Sequence, residues 1–359
     1  MSYWTELLPR DIRNYISSYL DQYNEWYPVI NYKKYLIKYV AEEIDTDIEL
    51  KELTNLQILI CKSNINFMDN GLSYLTNLQV LYCGNNSNFT DKGLSYLINL
   101  KELICHYNDN FTDKGLSYLI NLKELYCNDY NENNNKFTDK GLHYLTNLQI
   151  LYCGWNTNFT DKGLKHLTNL QVLYCMYNDN FTDEGIKQLS NLHELKCGWN
   201  TNFTDEGQKH LINLIHLNYD TNENFTNKGL GYLTNLRHLS CGYNIGNFTD
   251  EGLKHLTNLQ VLKCKKNTNF TDKGLIYLTN LQLFKCGFNT NFTDEGIKHL
   301  TNLQVLKCQK NTNFTDKGLS YLINLQELNC LENSNFTITG LFTLTNLKVF
   351  ICGNNIFHK

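Results

Sequence analysis

The sequence predicts an α/β solenoid, with a curved parallel sheet on its concave face and short helices on its convex face. Three observations carry that prediction. Cysteines recur at a nearly constant step along most of the chain. Each sits in the same short alternation of apolar and variable residues, the period-two mark of a strand with one buried face. Most are followed by an asparagine, a phenylalanine and a Thr-Asp pair of the kind that opens a helix. A sustained period of this length marks stacked units, none of which can bury its apolar face alone.

The register is set by Cys61, Cys83, Cys105, Cys127, Cys153, Cys175, Cys197, Cys241, Cys264, Cys286, Cys308, Cys330 and Cys352. The step is 22 residues, stretching to 26 after Cys127 and to 23 after Cys241. Tyr219 stands where one cysteine would fall, so the spacing gives fourteen units over residues 45–359. In the unit Leu78 to Leu97, the residues Leu78, Leu81, Cys83 and Asn86 form L-x-x-L-x-C-x-x-N. This resembles the leucine-rich-repeat consensus, and the continuation FTDKGL is similar to its cysteine-containing class, common in F-box proteins.

The elements of one unit follow in order. Leu81 and Cys83 alternate with Val80 and Tyr82, so a strand points the first pair inward. Stacked strands advance by about 4.8 Å per unit. Asn86 and its counterparts, from Asn64 to Asn355, sit where the chain turns. A buried amide there can bond backbone groups of its own and the next unit, each bond contributing about 1 kcal/mol net. Phe89 recurs in thirteen units and forms a spine. Thr90-Asp91 reads as an N-cap and first helical turn. Leu94 and Leu97 share one helical face and point inward. Gly93, also present thirteen times, implies close packing between neighbouring turns.

The cysteines fill the third inward strand position, where a small apolar side chain packs well. No C-x-x-C pair occurs, which argues against a zinc site. Eleven NFT triplets match the glycosylation sequon, but they are read as by-products of the repeat. Apolar residues make up 42% and charged residues 19%, which suits a folded chain. A net charge of −4 gives no global field for nucleic acid. Ala41 is the sole alanine, and Arg10, Arg13 and Arg237 the only arginines, whereas Asn, Lys, Ile and Tyr abound. We read this skew as AT-rich codon bias. Met1 to Arg10 lacks the apolar core of a signal peptide, and no apolar run is long enough to span a bilayer. A cytoplasmic protein with reduced thiols is the expectation.

Residues 1–44 do not fit the repeat. Leu8-Pro9-Arg10-Asp11-Ile12, then Ile16 and Leu20, resembles the opening of an F-box, with Ile12, Ile16 and Leu20 along one helical stripe. The resemblance implies that Leu8, Pro9, Ile12, Ile16 and Leu20 dock onto the adaptor subunit of an SCF-type ubiquitin ligase. A second amphipathic helix is expected from Tyr32, Tyr35, Leu36, Tyr39 and Val40. The alternative is a small α-helical cap on the solenoid, without ligase function. The skewed usage and near-identical units also resemble F-box/repeat proteins of large DNA viruses that infect amoebae.

The outward strand positions line the concave face, the default binding surface of such an architecture. Its first half is aromatic, through Tyr82, Tyr126, Tyr152 and Tyr174 just before the cysteine and Trp155, Tyr177 and Trp199 two residues after it, with Glu102, Glu124 and Glu194 at its side. Its later half is basic, through Lys263, Lys266, Lys285, Lys307 and Lys310, with Lys265 and Phe288 beside them. Exposed aromatics suit protein interfaces, and the lysines would favour an acidic partner. Tyrosine is also simply a good strand residue. The leading expectation is an adaptor that links a target protein to a ligase. A ligase-independent scaffold or decoy comes next, and nucleic-acid binding third. An enzyme is not expected, because no nucleophile elbow, phosphate loop or carboxylate pair stands apart from the repeat. The histidines at 166, 210, 255 and 299 recur at one position and read as surface features. No cofactor or metal is called for. The last residues, Asn354 to Lys359, look too few to cover the final strand, so fraying or self-association is expected there.

Overall fold

The computed structural model describes residues 37–41, 45–85, 88–128, 136–200, 202–242, 248–333, 335–352 and 355–358, with backbone alone for 352 and 355–358. The F-box-like motif, including Leu8, Pro9, Ile12, Ile16 and Leu20, lies outside the described residues. So do Asn86, Asn244, Tyr243 and most of the insertion after Cys127.

One sheet runs the length of the described residues: sixteen strands in chain order, parallel throughout except for the last. A strand such as Val80–Tyr82 is three residues long and buries its central residue while its flanks stay partly exposed. The inward leucines and the described cysteines are buried nearly completely, in one continuous core. The phenylalanine spine lies in the same core; Phe67, Phe89, Phe159 and Phe181 are fully enclosed. Phe336, at the end of the spine, is only partly buried. The described cysteines are free thiols. Burial holds them protonated, pushing thiols such as Cys105 and Cys153 well above the usual range, with neighbouring cysteines adding to it.

The helices are single turns. Asp91–Leu94 is representative, and the Thr90 hydroxyl caps it by accepting the Lys92 N–H at 3.2 Å. Leu97 falls beyond the helix, in a tighter turn closed by its N–H on the Leu94 carbonyl at 3.0 Å. Leucine still reaches the core there because a 3₁₀-like turn repeats every three residues.

Side chains hold the units together through three ladders. In the first, the buried Asn178 donates to the carbonyls of Asn156 and Phe159, 2.7 and 3.2 Å away, and its Oδ1 accepts from the Asn180 N–H at 3.0 Å. The donated bonds therefore run to the preceding unit rather than the next. In the second, Asp161 accepts both the N–H and the hydroxyl of Thr182, at 2.8 and 2.6 Å. In the third, Asn169 donates to the Thr146 carbonyl at 3.0 Å. The sequon asparagines are structural too: Asn180 donates to the Thr157 carbonyl at 2.6 Å.

Gly93 is explained by the second ladder. A Cβ there would lie 2.5 Å from Asp69 Oδ1 and 2.9 Å from Leu72 Cδ1, closer than real atoms approach. The glycine thus lets neighbouring helices close far enough for the aspartate to reach its threonine.

Both ends differ from expectation. Lys38–Val40 is a strand, not part of a helix, and pairs in parallel with Ile58–Ile60. Here the period of two prevails, because the first edge of the core needs a strand to cover it. Tyr39 packs against the core, and its hydroxyl donates to Asp45 at 2.6 Å. At the other end, Asn355–His358 turns back and pairs antiparallel with Val349–Cys352. A hairpin strand of four residues is enough to satisfy an edge of similar length, so the expectation of a bare final strand is corrected.

Candidate binding face

The outward residues of neighbouring strands stand in register, so each column of the sequence becomes a row on the sheet. Tyr126, Tyr152 and Tyr174 are direct neighbours. Their ring centroids lie 4.5 and 3.7 Å apart, tilted by 35° and 43°. Tyr82 does not join them, because Ile104 stands between it and Tyr126.

A second row is built by an unusual backbone. Trp155, Tyr177 and Trp199 all have left-handed φ angles, of 62°, 59° and 62°. Such angles cost non-glycine residues some strain. Their N–H groups donate to carbonyls of the following unit, as from Trp155 to Met176 at 2.9 Å. The ladder of the sheet therefore continues past the strand and holds the strained turn in place. The three rings stack nearly parallel, 4.3 and 5.4 Å apart, with interplanar angles of 19° and 10°. Trp199 ends the row at 48% exposed.

Where the aromatic half ends, the structure joins Glu194, expected only at the side of the aromatic rows, to a polar group whose histidines the sequence reading passed over. Glu194 accepts a hydrogen bond from the Tyr174 hydroxyl. Lys196 lies 3.5 Å from the same carboxylate and 3.9 Å from the centre of the Tyr174 ring. His216 Nδ1 is 3.6 Å from Glu194, and its ring stacks on His238 at 4.0 Å and 12°. Burial alone would raise Glu194, but hydrogen bonds from His216 and Tyr174 and the charge of Lys196 outweigh it and bring its pKa to about 2. Burial, then His216 and Lys263, lower His238 to about 4. Glu194, Lys196, His216 and His238 line a hollow of about 140 Å³ with Asn218, Ser240 and Lys263. The signal was available: Glu194, His216 and His238 occupy successive positions of the first strand column, which elsewhere carries mostly Val, Ile or Glu.

Lys263, Lys285 and Lys307 follow on adjacent strands, also in register. Lys307 is paired with Glu327 at 2.6 Å and Lys310 with Glu332 at 3.2 Å, so this half is less uniformly basic than its lysine column implies. Lys266 and Lys310 occupy the left-handed row on either side of Phe288. Larger hollows lie along the edge of the sheet, lined by repeated amides such as Asn77, Gln79 and Asn99. Asn77 and Asn99 there already serve the inter-unit ladder. Among the described residues no group of His, Cys, Asp or Glu could hold a metal ion, and no helix is long and apolar enough to cross a membrane.

No family model and no curated protein matches the chain. Solved structures do. An internalin (InlF) from Listeria monocytogenes superposes with a TM-score of 0.55 at 22% identity, over 90% of this chain and 87% of that one. A Leptospira interrogans leucine-rich-repeat protein gives 0.56 at 21% identity, over 84% and 85%. Rad7, solved in complex with Elc1 in yeast, gives 0.55 at 17% identity, over 95% and 96%. The chain has the leucine-rich-repeat fold. Its repeats make an open solenoid, and the aromatic, polar and basic stretches described above follow one another along the same leucine-rich-repeat sheet.

Proposed function

We propose that this leucine-rich-repeat chain is a protein-interaction adaptor whose concave face holds a target protein. The observation that carries the reading is the pair of aromatic rows, Tyr126–Tyr152–Tyr174 and Trp155–Tyr177–Trp199. The rest of the repeat is accounted for by core packing and inter-unit bonding. These rings are not needed for either. Rigid aromatics offer large contact area with few rotors to freeze, which suits a protein interface. The conspicuous polar groups on this face pair with one another around Glu194, and a binding role without catalysis fits them.

The finer reading is a substrate receptor of an SCF-type ubiquitin ligase, with Leu8, Pro9, Ile12, Ile16 and Leu20 docking the adaptor subunit. It is supported by the F-box-like spacing ahead of the repeats. The similarity to Rad7, a protein solved in complex with Elc1, adds the precedent of this fold bound to another protein. The second reading is a ligase-independent scaffold whose first residues only cap the solenoid. A pull-down of the purified chain with the ligase adaptor subunit, beside a Leu8→Ala/Pro9→Ala/Ile12→Ala variant, separates them. Binding lost in the variant is the expected result. A folded wild type that captures no adaptor overturns the ligase role and leaves the scaffold. Trp155→Ala/Trp199→Ala tests the concave face in the same format: targets captured by the wild type should be lost.

A further inference from the structure

We propose that the lysine-rich stretch around Phe288 is a separate subsite for a carboxylate-rich segment of the bound partner. The inference rests on the concave-face reading and adds a ligand class to it.

Phe288 is the hub. It is half-buried in the left-handed row at φ 64°, with Lys266 at 63° before it and Lys310 at 58° after it. The N–H groups of Lys266 and Phe288 donate to Gly287 and Gln309, at 3.1 and 2.8 Å. This fixes the three side chains side by side. The amines of Lys265, Lys266 and Lys310 stand 4.9, 5.6 and 5.0 Å from the ring centre. A ring face attracts cations electrostatically, so the ring gathers three ammonium groups that would otherwise spread apart.

Beside it runs the in-register row Lys263–Lys285–Lys307. Like charges directly across neighbouring strands repel. Among the described residues only Lys307 of this row has an ion-pair partner. Burial and then the charges of Lys263 and Lys307 depress the Lys285 pKa, with Glu327 offsetting only part of it, so the lysine row leaves a net positive field at that amine. An anion brought to this spot relieves that repulsion as well as forming its own contacts.

The boundaries choose the kind of anion. On the amino-terminal side stands Asp220, held by Ser240 at 3.2 Å. On the carboxy-terminal side stand Glu327 and Glu332, against Lys307 and Lys310. The positive stretch is thus about three units long, roughly 15 Å at the strand spacing of a sheet, and closed by carboxylates at both ends. A nucleic-acid backbone following the solenoid would run onto those carboxylates. A short acidic peptide segment fits between them.

The test is a fluorescence-anisotropy titration of the purified full chain with labelled oligoglutamate, at low and at physiological salt. Lys263→Gln/Lys285→Gln is the variant, and both positions face solvent at least in part, so the core is untouched. Binding by the wild type, roughly tenfold weaker in the variant and weaker at higher salt, is expected. Three results overturn the proposal: no wild-type binding at low salt, equal affinity in the variant, or tighter binding of a single-stranded oligonucleotide of equal charge. Target capture by the Trp155→Ala/Trp199→Ala variant separates the two readings. If oligoglutamate fails while capture still depends on the tryptophans, only the acidic subsite falls; if capture is also indifferent to them, the concave-face reading falls with it.

Discussion

Gln208 is the residue most out of keeping with its surroundings, and replacing it by leucine should stabilise the protein. It occupies the helix position that carries Leu94, Leu164 or Ile186 in other units, and it is fully buried. Neither its Nε2 nor its Oε1 has a hydrogen-bond partner among the described residues. An unmet buried polar group costs about 1–3 kcal/mol, and a fully buried leucine contributes about 1.5–3 kcal/mol. Part of the second term is already present in the methylenes of glutamine, so the net gain for Gln208→Leu is about 2–4 kcal/mol. Space is available. A Cβ built on Gly229 would meet Gln208 Oε1 at 1.7 Å, whereas at Gly252 the nearest leucine methyl, from Leu230, stands at 3.0 Å. Leucine would therefore restore the ordinary clearance between neighbouring helices. Urea unfolding followed by circular dichroism gives the total change, and hydrogen exchange over residues 204–233 shows whether it is local. Local gain is expected, because each unit of a solenoid contacts only its neighbours. A change within about 0.5 kcal/mol of zero, or a loss, would refute the reasoning. It would mean that the amide is hydrogen-bonded in solution.

Further outcomes follow from the ladders and the polar group. Asp161→Ala should cost about 3 kcal/mol in urea unfolding, because it strips charge-assisted bonds from the N–H and hydroxyl of Thr182. Asp161→Asn should cost less than half of that, since Asn227 already performs the same task on Thr249, accepting its N–H at 2.9 Å and donating to its hydroxyl at 2.8 Å. Gly163→Ala should cost about 1–3 kcal/mol by the same measurement, because the added methyl would sit 2.6 Å from Asp139 Oδ1 and 2.8 Å from Leu142 Cδ1. Stability should also fall with pH in two windows. His238 is depressed from 6.5 to about 4, so the unfolded chain binds its proton first and stability drops as pH falls through that range. Glu194 is depressed from 4.5 to about 2, so its contribution is complete above 4.5 and lost below, as the unfolded carboxylate protonates first. His238→Asn should flatten the upper window alone in unfolding midpoints measured across pH.

The repeat was legible because its signals are local. Alternation around Leu81 and Cys83, the turn at the asparagine and the cap at Thr90 each follow from a few consecutive residues. What was missed depends on the relation between units. Asp91 reads locally as the first turn of a helix, and nothing within its own unit shows that its carboxylate serves Thr112 as well. The sequon asparagines looked incidental because their acceptors lie 23 residues earlier. The aromatic rows and the lysine row were readable as columns, whereas the pairing of Lys307 and Lys310 with acids required the register. Glu194 was placed beside the aromatic rows, but its grouping with His216 and His238 went unseen because the first strand column was not followed to its exceptions. At the two ends the repeat stops supplying information, and the strands Lys38–Val40 and Asn355–His358 answer instead to exposed sheet edges.

The three ladders share a direction. The ladder asparagines give their protons to carbonyls of the unit before, although the Nδ2 groups of Asn108, Asn156 and Asn267 have no partner among the described residues. A threonine such as Thr182 gives both of its protons to the aspartate of the unit before; Asn227, which donates forward to Thr249, runs the other way. In its side chains a turn therefore has a proton-giving side and a proton-accepting side, like a tape with hooks on one edge and loops on the other. A further copy of the 22-residue cassette spliced in phase at any seam meets the correct surface on both flanks. The molecule can thus lengthen or shorten by whole turns while neighbouring seams stay matched. Two cut surfaces of the same kind, brought face to face, would set donors against donors or acceptors against acceptors and would not anneal.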